Sequence, residues 1–265
     1  MAVAKLEIDG PIATITITRP DAMNALGQPG DGDVFKSICE QINANRDIRC
    51  AILTGEGRAF SAGGDVKAMK DRTGAFAGSP AEIREAYRGN IHKIIKSLWN
   101  LEVPLVSAVN GPAIGLGCDV ACMGDIRIAS DKAKFGVTFL KLGLIPGDGG
   151  AWLTPRIVGW SRACELLFTG DVVDAQTARD WGFVSRVVEA DVLMPEARAM
   201  ALKVAMQPPH ALRVTKALMR QGQTSTFDNI MELSAASQGL MHHTGDHEEG
   251  VAAILDKRTP NFTGT

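Results

Sequence analysis

Three glycine-rich stretches hold most of the residues in this chain whose types and spacing could do chemistry. The first is Arg58-Ala-Phe60-Ser61-Ala62-Gly63-Gly64-Asp65-Val66-Lys67, and the second is Val109-Asn110-Gly111-Pro112-Ala113-Ile114-Gly115-Leu116-Gly117-Cys118-Asp119. Each leads from a strand-like apolar run into the N-terminus of a predicted helix, where the first N–H groups have no intrahelical acceptor. Glycine at such a place lets backbone come close to a ligand. Two such termini converging would aim two N–H donors and two helix dipoles at one oxygen, the arrangement that stabilises an oxyanion. The third stretch, Gly143-Leu-Ile-Pro146-Gly147-Asp148-Gly149-Gly150, sets one carboxylate between glycines just before the apolar segment Ala151 to Val158. Standing alone, this Asp reads as a helix N-cap. Beside an oxyanion site it becomes a candidate proton carrier.

Other catalytic signatures fail. No G-x-x-x-x-G-K-[ST] run occurs, so a phosphate-cradling loop is unsupported. Gly115-Leu-Gly117-Cys-Asp-Val120 is a broken G-x-G-x-x-G, and Phe135 stands about 20 residues on, where its acidic partner would lie. The single tyrosine, Tyr87, has Ile91 four residues later and cannot supply a Tyr-x-x-x-Lys pair. Ala59-Phe-Ser61-Ala-Gly63 misses a G-x-S-x-G elbow by one residue and lies too early for the strands that elbow needs. His243 and His247 have i, i+4 spacing but no further ligand, and read as a solvated helix start. Cys118 and Cys122 share a helix face and read as core.

The elements that must hold the three loops follow from periodicity. Residues 3–18 alternate as a hairpin, with Asp9-Gly10 as its turn. A helix is expected over 34–45, with Phe35, Ile38 and Ile42 on one face, then a buried strand over 50–54 and a helix opening at Asp65. The same order returns with a strand over 103–109 and a helix from about Gly115. Short strands at 126–128 and 135–137 precede the third loop. This alternation predicts an α/β core with parallel pairing. From about residue 160 the pattern is mostly helical: 160–168, 174–180, 191–206, 208–221 and 226–240. Residues 70–81 carry no period and are the expected lid.

Composition narrows the class. The 265 residues carry 28 Lys and Arg against 30 Asp and Glu, a net charge of −2 that leaves no electrostatic footprint for nucleic acid or anionic membrane. Twenty-eight glycines, about a tenth of the chain against about 7% in an average one, suggest several tight loops where backbone must approach something. Five cysteines in a chain this long are no disulfide framework. Lys5, Glu7 and Asp9 break any signal-peptide pattern, and no apolar run reaches a membrane span. A reducing, cytoplasmic setting is the expectation.

Taken together, the loops resemble the crotonase (enoyl-CoA hydratase/isomerase) family over nearly the whole chain. The matching stretches are Pro20-Asp-Ala-Met-Asn-Ala-Leu26, Ala59 to Lys67, Ala108 to Asp119, Asp125-Ile-Arg-Ile-Ala129, Gly143 to Gly150, and the tail from Asp246 through Lys257 to Phe262. The resemblance implies an α/β spiral of ββα repeats over residues 1–200 that binds acyl-CoA. It also implies a C-terminal helical section over 201–265 that trimerises, giving a homotrimer or a hexamer made of two trimers. Coenzyme A would enter as part of the substrate, with no further cofactor and no metal.

Carried over residue by residue, the backbone N–H groups of Gly64 and Leu116 match the oxyanion donors. Ala22, Met23, Ala62 and Asp65 match positions lining the CoA adenine pocket. Lys257 matches a basic residue that reaches the CoA phosphates of a neighbouring subunit. A hydratase of this family uses two glutamates; here the first is Asp119, one methylene shorter, and the second position is Phe139, which cannot transfer a proton. Asp148 instead matches a catalytic carboxylate of isomerase and synthase relatives. The implied activity is reversible hydration of 2-enoyl-CoA in fatty or carboxylic acid degradation, by Asp148 together with Asp119. Double-bond isomerisation or thioester hydrolysis by a single Asp stands as the alternative. A non-catalytic acyl-CoA-binding protein is the alternative from another class.

Overall fold

The computed structural model describes residues 2–265. Among the described residues nine strands form two sheets. In the larger, β1 (Ala4–Asp9), β2 (Ile12–Ile17), β3 (Cys50–Gly55), β4 (Leu105–Val109), β6 (Ile126–Ser130) and β9 (Arg186–Val188) lie side by side in that order. Only β1 and β2 pair antiparallel; the other neighbours are parallel. The smaller sheet joins β5 (Pro112–Ile114), β7 (Lys134–Gly136) and β8 (Val172–Asp174).

Both faces of the larger sheet are covered, as its parallel pairing requires. Side chains alternate between two buried clusters: Ala13, Ala51, Leu53 and Val109 point one way, and Ile12, Cys50, Ile52, Val106 and Ala108 the other. The first face packs under α1 (Asp31–Ala44) and α4 (His92–Trp99), through Phe35, Ile38, Ile42, Ile94 and Leu98. The second meets α9 (Leu193–Ala205), whose Leu193, Ala197, Ala201 and Ala205 recur every four residues as one narrow stripe. Small side chains along that stripe let the helix lie close to the strands.

Several expectations shift. The hairpin is present, but its two-residue turn is Gly10-Pro11, because Asp9 pairs with Ile12. Gly10 takes φ +56, so the mirror-image turn that suits strand twist falls one residue later than Asp9-Gly10. Helix α1 starts at Asp31 instead of Val34. There Asp31 accepts hydrogen bonds from the Gly27 and Gln28 N–H groups and forms a two-pronged ion pair with Arg19 (2.6 and 2.7 Å). The second unit is not a plain strand–loop–helix, since β5 intervenes between β4 and α5 (Leu116–Ala121). The stretch after residue 160 is not purely helical either: β8 and β9 are three-residue strands, each ordered by the edge of a pre-existing sheet.

The remaining helices are α2 (Val66–Asp71), α3 (Pro80–Ala86), α6 (Gly150–Val158), α7 (Trp160–Thr169), α8 (Ala175–Asp180), α10 (Pro209–Gly222), α11 (Phe227–Met241) and α12 (Gly245–Leu255). In the segment expected as a lid, a 3-10 turn spans Gly74–Phe76, and Ser79 with Glu82 forms a reciprocal capping box for α3. A π turn over Tyr87–Ile91 joins α3 to α4. Helix α10 is tied to the core by charge. Lys216, almost fully buried, and Arg220 both pair with Asp125 (2.7 and 3.0 Å), and Arg213 pairs with Glu102 (2.7 Å). Among the described residues no helix is long and apolar enough to cross a membrane. Large apolar side chains stand exposed on α7, α11 and α12: Trp160, Phe168, Phe227, Leu240, Ile254 and Leu255.

Candidate active site

The first two glycine loops cross and are stitched together. Ser61 N–H donates to the Pro112 carbonyl (3.0 Å), and Ile114 N–H donates to the Ser61 carbonyl (2.9 Å). The Ser61 hydroxyl donates to the Asn24 carbonyl (2.8 Å), which explains why this serine is buried structure. The stitching accounts for the glycines in a way the sequence did not suggest. A Cβ on Gly117 would stand 2.1 Å from the Ser61 carbonyl oxygen, and one on Gly63 would stand 2.4 Å from the Ile114 oxygen. Here glycine serves the approach of loop to loop.

The consequence is a pair of free donors. Gly63 lies against Leu116: the position of its absent Cβ is 3.4 Å from the Leu116 nitrogen. Leu116 opens α5, and its side chain packs inward near Gly27. Among the described residues, neither the Gly64 N–H nor the Leu116 N–H meets an acceptor. Gly115 N–H is tied to the Gly136 carbonyl (2.8 Å), so the loop that presents Leu116 is anchored to β7. The Phe139 ring packs 3.8 Å from where a Gly115 Cβ would be, an apolar wall beside the same loop.

Asp148 is not the cap of α6. That position belongs to Gly149, in a left-handed conformation and with no side-chain cap bond. Asp148 is 4% exposed, and its Oδ1 has no hydrogen-bond partner among the described residues. Burial raises its pKa to about 7. Asp119 is fully enclosed. Its Oδ2 accepts the Gly150 N–H (3.0 Å), and its pKa is held well above the ordinary carboxylate range by burial first, then by Cys122 and Asp148. The two expected carboxyls are therefore neighbours, joined through the start of α6, and only Asp148 retains any exposure.

Three residues here escaped the sequence reading. His92 Nε2 meets the Gly147 carbonyl (2.9 Å), and its ring stands edge-on to Tyr87 (centroids 6.0 Å). Tyr87 in turn stands edge-on to Phe76 (6.4 Å) and approaches Gly147, and its phenol pKa is raised by burial and by the Asp148 charge. None of the three belongs to a local motif; only the fold brings them to the third loop.

The expected CoA-pocket positions are partly gathered. Ala62 N–H donates to the Met23 carbonyl (2.8 Å), which brings 22–23 beside 62. Asn24, fully buried at φ +57, bridges to the Glu56 and Ala59 carbonyls with its amide group. The Asp65 carboxylate caps α2 through the Ala68 N–H (3.0 Å). Lys257 lies apart, exposed in a left-handed turn after α12. His243 and His247 do not share a helix face. His243 precedes the Thr244 cap, and His247 Nε2 lies 3.0 Å from His242 Nδ1.

A family model described as enoyl-CoA hydratase/isomerase matches residues 7–265. The chain belongs to the enoyl-CoA hydratase/isomerase family. It is 35% identical to the 1,2-epoxyphenylacetyl-CoA isomerase of Escherichia coli over 257 residues, covering 97% of each chain. It is 36% identical to a crotonyl-CoA hydratase of Syntrophomonas wolfei over 261 residues, covering 97% of this chain and 96% of that one. A crystal structure of an enoyl-CoA hydratase from Bacillus anthracis superposes with a TM-score of 0.92 at 30% identity, covering 99% of this chain and all of that one. The α/β architecture with its C-terminal helices is thus the crotonase fold.

Proposed function

We propose that this protein is an acyl-CoA enzyme that hydrates 2-enoyl-CoA reversibly. The observation that carries the reading is the pair of acceptor-free N–H groups, Gly64 and Leu116, set beside a loop whose buried carboxyl titrates near neutrality. A thioester oxygen received by the two donors lets negative charge collect there. Ionised Asp148 takes a proton from water as the water oxygen bonds to C3, and the electron pair moves to the thioester oxygen. The resulting enolate then collapses and takes the proton from Asp148 at C2. A pKa of about 7 suits a group that must both accept and return a proton. Asp119, enclosed behind Asp148, meets the same loop through the Gly150 N–H.

A second reading, migration of a double bond, draws support from Phe139 and from the full enclosure of Asp119. Asp148 alone would remove a proton from C2 of a 3-enoyl-CoA and return it at C4. Having both hydratase and isomerase relatives is consistent with either course. Ala22, Met23, Ala62 and Asp65 are proposed to line the adenine pocket. Lys257 is proposed to reach the CoA phosphates of a neighbouring copy. The exposed apolar side chains of α7, α11 and α12 support a homotrimer or a hexamer. The chemistry needs no cofactor beyond the CoA of the substrate, and the free thiols suit the cytoplasm.

The test offers 2-enoyl-, 3-enoyl- and 3-hydroxyacyl-CoA while following conjugated-thioester absorbance and free thiol. Loss of absorbance from 2-enoyl-CoA is expected, with a fall of about 10²-fold or more in Asp148→Asn. Gain of absorbance from 3-enoyl-CoA would favour the isomerase, and thiol release a hydrolase. Tight binding without turnover would mark a binding protein. Turnover undiminished in Asp148→Asn would overturn the assignment.

A further inference from the structure

We propose that His92 and Asp119 are positioning residues that clamp the Asp148 loop from its two sides, leaving Asp148 as the one side chain that exchanges protons with substrate. This rests on the reading of Asp148 given above.

Asp148 has a glycine on each side, so its own neighbours contribute no side-chain anchor, and the loop must be located from outside. Two contacts do this. On the side before Asp148, the His92 Nε2–H donates to the Gly147 carbonyl (2.9 Å), since a ring nitrogen facing a carbonyl must carry the hydrogen. The imidazole is itself held edge-on by Tyr87, and Tyr87 by Phe76. On the side after Asp148, Asp119 Oδ2 accepts the Gly150 N–H (3.0 Å). The Asp119 carboxyl fills the space above Gly150 so closely that a Cβ there would lie 2.5 Å from its Oδ1. The anchors come from different elements, His92 from α4 and Asp119 from α5.

Asp119 is shut away from any substrate, with no exposed surface. Its Oδ1, like that of Asp148, is buried without a partner among the described residues. The titratable groups beside this pair are the Tyr87 phenol and the Cys118 and Cys122 thiols, with the His92 imidazole across the Gly147 carbonyl. Burial first, then Cys122 and Asp148, hold the Asp119 pKa well above the ordinary carboxylate range. Its contact with the loop is as acceptor for the Gly150 N–H, a role that an amide can share.

The test measures kcat, KM and the pH profile on 2-enoyl-CoA in the intact oligomer. His92→Phe removes the donor and is expected to lower kcat about 10–100-fold, with KM changed less than about threefold. The ionisation near 7 should move to lower pH, because a loosened loop admits water. His92→Gln, which keeps an N–H in reach, should recover most of both losses. Asp119→Asn keeps an acceptor for Gly150 and should cost about tenfold in kcat, with the ionisation near 7 unmoved; Asp119→Leu should cost about 100-fold.

An Asp119→Asn enzyme as impaired as Asp148→Asn, or with its ionisation moved down by about one unit, would overturn the proposal for Asp119. A His92→Phe enzyme with unaltered kcat and pH profile would overturn it for His92. If wild-type protein turns over no substrate, the reading of function fails, and the clamp is judged separately by ¹³C titration of the Asp148 carboxyl. The midpoint should then hold in Asp119→Asn and fall in His92→Phe. If Asp119→Leu does not fold, the Asn variant alone decides.

Discussion

Replacing Gly117 with alanine tests whether the loop stitching sets the two proposed oxyanion donors. The added methyl would sit 2.1 Å from the Ser61 carbonyl oxygen and 2.8 Å from its carbonyl carbon. That oxygen cannot swing aside freely, because it accepts the Ile114 N–H while Ser61 N–H holds the Pro112 carbonyl. Clearing the 3.0 Å below which Cβ contacts are essentially never seen requires the loops to part by about 0.9 Å. Leu116, one residue away on the same loop, moves with them. A misplacement of about 1 Å costs roughly 10²-fold in rate, and outright loss of one donor about 10²–10³-fold, or about 2.7–4 kcal/mol. Overpacking adds a stability loss of about 1–3 kcal/mol. The assay is kcat and KM on 2-enoyl-CoA with thermal unfolding alongside, and Gly89→Ala as control, where nothing lies within 4 Å. A Gly117→Ala enzyme with wild-type kcat and melting temperature would refute the reasoning.

Three further outcomes follow. Asp148→Asn should stabilise the fold at alkaline pH. With a folded pKa of about 7 against the ordinary 3.8, the folded state holds the proton more tightly, so stability falls as pH rises through that window. The gain from Asn grows from nothing near pH 4 to at most about 4 kcal/mol near pH 8, and a melting-temperature difference that does not vary with pH would contradict it. Asn24→Ala leaves the Arg19 N–H and the Glu56 carbonyl without their side-chain partner, removes one of two side-chain donors from the Ala59 carbonyl, and should cost about 2–3 kcal/mol in urea unfolding. Asp125→Asn strips Lys216 and Arg220 of their carboxylate inside the α10 contact and should cost about 3–5 kcal/mol, measured at fixed protein concentration.

Legibility differed by residue. The strands of the large sheet other than β9 were readable, β3 for example because Ala51, Ile52 and Leu53 are apolar on both faces. Strands β8 and β9 were not, since Val172–Asp174 and Arg186–Val188 are too short for any period and depend on a neighbouring strand to exist. That the first two loops could each offer an N–H donor was legible from their place before a helix, whereas the choice of Gly64 and Leu116 came from the family resemblance. The Gly63 and Gly117 requirement was not legible, because it comes from a crossing between segments more than 50 residues apart. Whether Asp148 was cap or acid was undecidable locally; Gly149 taking the cap position settled the geometry. His92 and Tyr87 had no sequence signal, because a ring reaching a carbonyl 55 residues away leaves no local pattern.

The order of strands in the large sheet bears on how the protein is made. It runs β1-β2-β3-β4-β6-β9 and never turns back along the chain. Each strand joins an edge built from residues already synthesised, so none must be threaded between two that have paired. On the ribosome, where N-terminal parts fold first, the crossing at Ser61 and Ala113 can close as soon as the second loop emerges. Helices α11 and α12, which carry much of the exposed apolar surface, arrive last. Each chain thus closes the crossing of its first two loops before it presents that apolar surface.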